Sequence, residues 1–299
     1  MITVFLMGGL GNQLFQIFAA FAYAIQYNTK VVLPYEEVLA TGRPRPTYWG
    51  NFLNSLTIFT TANPANGMSN RDIFDNSTPY HWIEHHYQAI PPPLGEQDGE
   101  GCNGEQENIL LYGYFQSPKY FREQEDQIMR MMRIEPMKES IRSEYAEYFT
   151  TMPGHIHTIS MHFRLGDYKD NPCHPVLPYS YYANALDLIM GLVDPGTKAR
   201  VLYFCEKEDN DAVKKVVDRL AEESNIISFV KVGDEVADWK QMLMMSLCDS
   251  HIIANSSFSW WGAYFGSRHS VTCYPRTWFS GPLAGNHMGD MFPEGWVDV

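Results

Sequence analysis

The chain has 299 residues, 45% of them hydrophobic and 19% charged, which suits one large or two mid-sized globular domains and excludes a disordered or fibrous chain. Lys+Arg 22 against Asp+Glu 35 leaves a net charge of −13 with no basic cluster to offset it, so nucleic acid is not an expected partner. No run reaches the roughly 18 apolar residues of a membrane span, and no secretory signal pattern opens the chain. The five cysteines are odd in number and form no C-x-x-C pair, so they read as reduced thiols, and a soluble cytoplasmic protein is expected.

Ile2 to Met7 is an apolar, β-branched run that stops at Gly8-Gly9-Leu10-Gly11, and Asn12 to Tyr27 then carries apolar residues at helical spacing. Lys30 to Leu33 reads as a second buried strand ended by Pro34, which opens a βαβ unit. From Tyr35 to Gln88 the pattern is irregular, with a strand-like piece at Ser55 to Thr60. Pro91 to Asn108 is Pro, Gly and acid, the composition of a solvated loop. Ile109 to Tyr112 is strand-like. Ser117-Pro118 supplies cap and first-turn proline for a helix to about Met132, and a further helix covers Lys138 to Tyr148. Pro153-Gly154 is the expected boundary between domains 1–153 and 154–299.

Beyond that boundary the alternation is regular. Strands at His157–Phe163, Arg200–Cys205, Ile226–Lys231, His251–Ala254 and Val271–Tyr274 alternate with helices at Tyr179–Leu192, Asp209–Glu222, Trp239–Leu247 and Phe258–Phe265. Repeated βα units predict a parallel, doubly wound sheet with ligands beyond the strand C-termini. The tail from Pro275 shows no regular pattern.

Several stretches carry polar residues where chemistry can occur. His162 and Arg164 lie two apart at a strand end and share a face, with Gly166 turning the chain, so the arginine can clamp a phosphate; an Arg–Asp surface pair beside a buried histidine is the structural alternative. Asn255-Ser256-Ser257-Phe258 lies between a strand and a helix, as an anion site at a helix start or as plain capping. Gly8 to Gln13 lacks the third glycine of G-x-G-x-x-G and the Gly-Lys-Ser/Thr of a Walker loop, leaving a close backbone approach to ligand or a tight turn capped by Asn12. Asp209-Asn210-Asp211 has the D-x-D spacing of metal-dependent sugar transferases, yet acids are expected at a helix start in any case. His81, His85 and His86 lack a completing ligand. Asn76-Ser77-Thr78 and Asn255-Ser256-Ser257 fit the N-glycosylation pattern but carry no weight without a secretory signal. Trp260 and Trp261 are expected in the core.

Taken in order, GGLGNQLFQ at the start, GYFQSPKYF at 113–121, HFRLGDY at 162–168 and NSSFSWWGAYF at 255–265 resemble the galactoside α-1,2-fucosyltransferases, glycosyltransferase family 11. The resemblance implies an α/β, GT-B-like fold of two Rossmann-like domains facing a cleft. It also implies GDP-fucose as donor substrate, a galactose-terminated glycan as acceptor, inversion at the sugar carbon, and no cofactor or metal. By the same resemblance Arg164 holds the leaving diphosphate, and His162 seats the nucleotide. Asn255, Ser256, Ser257 and Phe258 line the phosphate side, and Gly9, Asn12 and Gln13 approach the β-phosphate and fucose. Glu206 faces the nucleoside, and Asp167 is the candidate base unless it holds Arg164 in place. Relatives carry an acid where this chain has Gln241, and Asp238 is the available substitute. A transferase using another nucleotide sugar, and a non-catalytic nucleotide- or sugar-binding protein, are the competing readings.

Overall fold

A computed structural model describes residues 1–74, 80–84, 87–90, 92, 108–149 and 156–299. The Asn76 glycosylation pattern, His85-His86, most of the acidic stretch 91–108 and the Pro153-Gly154 boundary lie outside the described residues. The chain divides into two compact units. One is Met1–Glu135 with His287–Phe292, and the other is Pro136–Asn286 with Pro293–Val299.

The first unit contains β1 (Ile2–Val4), α1 (Leu10–Gln26), a short hairpin of β2 (Val38–Leu39) and β3 (Arg45–Pro46), α2 (Asn70–Phe74), β4 (Tyr80–Ile83), β5 (Ile109–Tyr112) and α3 (Glu125–Met132). Its sheet is parallel, in the order β1-β5-β4. β1 is wholly buried, and α1 is buried on nearly every side because from Leu14 to Ala24 its sequence is apolar apart from Gln16.

Three expectations for this unit need correction. Lys30–Leu33 forms no full strand: Val31 bridges to Ile2 and Leu33 to Thr60, so the segment is shared between two neighbours. Ser55–Thr60 is not extended but lies largely in a 3₁₀ helix, Asn54–Phe59. The hydroxyls of Thr57 and Thr60 bond carbonyls three residues back, which suits that winding. The helix from Ser117 is interrupted: Ser117 caps a short turn at Pro118–Tyr120, and the chain then breaks so that Phe121 packs on Phe15 and Phe18.

The chain continues through α4 (Ile134–Glu144) and α5 (Ala146–Phe149). These belong almost entirely to the second unit, because Lys138 bonds the Phe265 carbonyl, Glu144 pairs with Lys240 at 2.5 Å, and the Tyr148 carbonyl takes Arg200. The units therefore divide at Glu135–Pro136. Next come β6 (Ile156–His162), α6 (Tyr179–Leu192), β7 (Lys198–Phe204), α7 (Asn210–Glu222), β8 (Ile227–Lys231), α8 (Asp238–Ser246), β9 (Ser250–Ile252), α9 (Ser257–Tyr264), β10 (Val271–Tyr274) and β11 (Val297–Asp298). All six strands are parallel, in the order β11-β10-β9-β6-β7-β8. The tail is thus not wholly irregular: β11 adds an edge strand to β10, held by Val299 N–H to the Tyr274 carbonyl at 2.9 Å.

One face of this sheet presents Ile159, Met161, Phe163 and Val201 to Tyr181, Tyr182, Ala185 and Ile189 of α6 and Val213, Val217 and Leu220 of α7. The alternate side chains Ser160 and His251 bond each other at 2.8 Å, and His251 packs against Gly266 beyond α9. Trp260 and Trp261 are fully buried, as their apolar helix requires. Each unit is α/β about a parallel sheet, as a GT-B-like chain requires. In the second, the strand order reverses between β6 and β9, which places a ligand crevice beyond the C-terminal ends of those two strands.

Candidate active site at the strand switch point

The residues at that crevice come from three strand ends. β6 stops at His162, and the following loop carries Arg164, whose side chain is only 17% exposed. Its Nη2 donates to Asp167 Oδ1 at 2.5 Å, and its Nη1 pairs with Glu206 just past β7. Burial works against the Arg164 charge, and Glu206 and Asp167 outweigh it, so the guanidinium is held above its ordinary pKa. It also lies 5.1 Å from the centre of the Tyr168 ring. Tyr168 joins the two switch-point strands, since its hydroxyl donates to the Asn255 carbonyl beyond β9 at 3.0 Å. Behind it His174 stacks on the Tyr168 ring at 4.6 Å and 17°.

His162 is buried against Phe258 of α9, with ring centres 5.6 Å apart, and among the described residues its Nδ1 has no hydrogen-bond partner. Burial, reinforced by Arg164, pushes its pKa down to about 3, so the imidazole is neutral at physiological pH. A neutral ring with an unpaired buried nitrogen is suited to a polar ligand group. The Asn255 amide nitrogen donates to the Pro175 and Trp278 carbonyls, and among the described residues its Oδ1 has no hydrogen-bond partner. Ser256 caps α9 by accepting the Phe258 N–H at 3.3 Å, and Ser257 opens that helix half-buried. The capping expected of this segment is therefore present.

Asp167 offers no free-standing base. Its Oδ1 is taken by Arg164, which favours the second role left open by the sequence, that of orienting the guanidinium. Asp209 and Asp211 do not act as a pair. Asp209 is buried and bonds Gly166 N–H and Lys169, while Asp211 is exposed on α7. Among the described residues no group of three or more His, Cys, Asp or Glu is placed to hold a metal ion. Gln241 donates to the Val236 carbonyl, and Asp238 starts α8 at the surface.

In the first unit, Gly8 has φ +79, and a Cβ there would stand 2.5 Å from Asn12 Nδ2, so this position requires glycine. Gly9 precedes α1 in extended conformation. Asn12 Oδ1 accepts from Gln116 at 2.9 Å, and Gln16 bonds both Met7 N–H and the Gly113 carbonyl, so the GGLGNQ and GYFQS segments form one polar edge at the ends of β1 and β5. Gln13 faces inward, fully buried, with its amide nitrogen on the Gly8 and Pro46 carbonyls; it holds the turn rather than presenting an amide.

Sequence reasoning placed Arg164, His162 and Glu206 at the strand ends but missed the roles of Tyr168, His174 and Asp209. Tyr168 lies inside the HFRLGDY motif, whereas Asp209 carries a sequence signal only through its D-x-D spacing and its place at a helix start.

In the second unit a largely covered arginine and a neutral histidine thus stand at the switch point of a parallel α/β sheet. The chain belongs to glycosyl transferase family 11, whose model matches residues 50–299, and is a glycosyltransferase. Two Escherichia coli proteins are similar over nearly their whole length. One is named O-antigen biosynthesis glycosyltransferase WbnK, 26% identical over 98% of this chain and 99% of its own, and the other alpha-1,2-colitosyltransferase, 26% identical over 98% and 97%. Among solved structures, fucosyltransferase NodZ from Bradyrhizobium is similar at 12% identity and a TM-score of 0.45, covering 89% of this chain and 92% of that one. Among the described residues no helix is long and apolar enough to cross a membrane.

Proposed function

We propose that this glycosyltransferase transfers L-fucose from GDP-fucose to the 2-hydroxyl of a galactose-terminated glycan, with inversion and without a metal, in the cytoplasm. The observation that carries the proposal is the placement of Arg164, braced by Asp167 and Glu206 just past β6, beside neutral His162, whose ring packs on Phe258 at the start of α9. A sugar diphosphate leaving group gains negative charge as the glycosidic bond breaks. A fixed guanidinium and helix-start N–H groups can lower that barrier by about 3 kcal/mol per well-placed donor. Asp167 orients Arg164. Glu206, at 45% exposure the freer of its two carboxylates, yields Nη1 to the diphosphate and turns to the nucleoside. In the first unit Gln13 holds the turn that carries Gly9 and Asn12.

The second reading changes only the donor sugar. Colitose lacks the 3-hydroxyl of fucose, and a relative of this chain is named alpha-1,2-colitosyltransferase. A site built to hydrogen-bond a hydroxyl rejects the analogue without it strongly, whereas a site lacking that contact discriminates weakly. Turnover of GDP-fucose and GDP-colitose, measured side by side on one galactoside, tests both readings. Preference for GDP-fucose supports the first, and preference for GDP-colitose supports the second. Turnover of neither, alongside turnover of a different nucleotide sugar, overturns both.

A further inference from the structure

Asp209 stands at the start of α7, where an acidic side chain is ordinarily explained by capping, yet it makes no capping bond to its own helix. Its side chain is 0% exposed and reaches back across the sequence to the loop after β6. Oδ2 accepts the Gly166 N–H at 2.7 Å, and Oδ1 pairs with the Lys169 ammonium. Burying a carboxylate is unfavourable unless such partners repay it, and both partners belong to the loop that presents Arg164 and Asp167.

The same turn grips that loop a second time. Glu206, three residues before Asp209, takes Arg164 Nη1 and lies against the α-carbon of Gly166, where φ is +34 and a Cβ would meet Glu206 Oε2 at 2.5 Å. Glu206 is exposed and can move. Asp209 is buried and pinned at two points. The loop backbone is therefore held by Asp209 whether or not Glu206 releases the guanidinium.

We propose that Asp209 is a positioning residue for Arg164, fixing the loop after β6 so that the guanidinium meets the donor's diphosphate when Glu206 lets go. This rests on the reading of Arg164 as the diphosphate ligand.

The test uses the whole chain and compares its affinities for GDP and GMP by calorimetry, because their ratio isolates the β-phosphate contact. Arg164→Ala should collapse the ratio toward unity. Asp209→Ala should lower it at least about fivefold with GMP affinity unchanged, and Arg164→Ala/Asp209→Ala should be no worse than Arg164→Ala alone, since a residue acting through Arg164 has nothing left to act on. Asp209→Asn keeps an acceptor for Gly166 N–H and loses the charge facing Lys169, so its ratio should fall between wild type and Asp209→Ala; if the alanine variant does not fold, the asparagine variant decides. An unchanged ratio, an equal loss for both nucleotides, or losses that add in the double variant would overturn the positioning role. If Arg164→Ala itself leaves the ratio unchanged, the reading of Arg164 is wrong and the role of Asp209 falls with it.

Discussion

Acidification from pH 7.5 to 5 should cost the second unit about 4 kcal/mol, through two buried histidines. His162 and His251 are both pushed down to about 3, in each case chiefly by burial. Between pH 6.5 and 3 the unfolded chain binds a proton at each imidazole that the folded chain does not. Stability therefore falls as pH falls through that window, by up to about 1.4 kcal/mol per pH unit for each histidine. At pH 5 the loss is about 2 kcal/mol apiece, a large share of the roughly 5–15 kcal/mol that holds a typical domain together. Carboxylates held low by partners, such as Glu144 beside Lys240 and Asp234 beside Lys231, lose their stabilising contribution only as pH falls through their ordinary values of 4.5 and 3.8 and below, so the step from pH 7.5 to 5 is left largely to the histidines. Urea denaturation followed by fluorescence of the buried Trp260-Trp261 pair measures the effect. His251→Asn separates the contributions, because an amide can keep the Ser160 bond that Nδ1 makes at 2.8 Å while removing the titration. That variant should lose about half as much stability on acidification as wild type. Equal stability at both pH values, or an undiminished loss in His251→Asn, would refute the assignment of the acid sensitivity to these rings.

Arg164→Ala should lower kcat/KM for the donor by about 10²–10³, the range seen when a transition-state donor of this kind is removed, while far-UV circular dichroism stays unchanged; turnover near wild type would contradict the role of the guanidinium. Gln16→Leu should cost about 2–4 kcal/mol in thermal or urea unfolding, since it leaves Met7 N–H and the Gly113 carbonyl without their partner in a buried site. A loss below about 1 kcal/mol would mean that those groups find other partners. Activity should survive EDTA undiminished, as expected of a site that relies on Arg164; strict loss restored by Mn²⁺ would return Asp211 to consideration as a ligand.

Much of the second unit was legible because its βα units repeat at regular length, with β7 a largely apolar run and α6 and α7 carrying apolar residues at helical spacing. Tyr179–Leu192 was delimited to the residue, and β6 to β10 to within about two residues, the usual precision of such boundaries. What periodicity cannot show is which distant group a polar side chain meets. The Arg164–Glu206 pair and the Asp209–Gly166 bond each span more than forty residues, and only parallel pairing of β6 with β7 brings those loops together. The inward turn of Gln13 was hidden for the same reason: its partner, the Pro46 carbonyl, lies in the irregular region where apolar spacing carries no signal. β11 was missed because two paired residues are too short to leave a pattern.

The most direct test of the account is the product itself. Incubating the protein with GDP-fucose and a β-galactoside, then assigning the linkage by two-dimensional NMR, should show GDP released in step with an α-L-fucosyl group on the galactose 2-hydroxyl. GDP released without a fucosylated product, or fucose found at another hydroxyl, would contradict it.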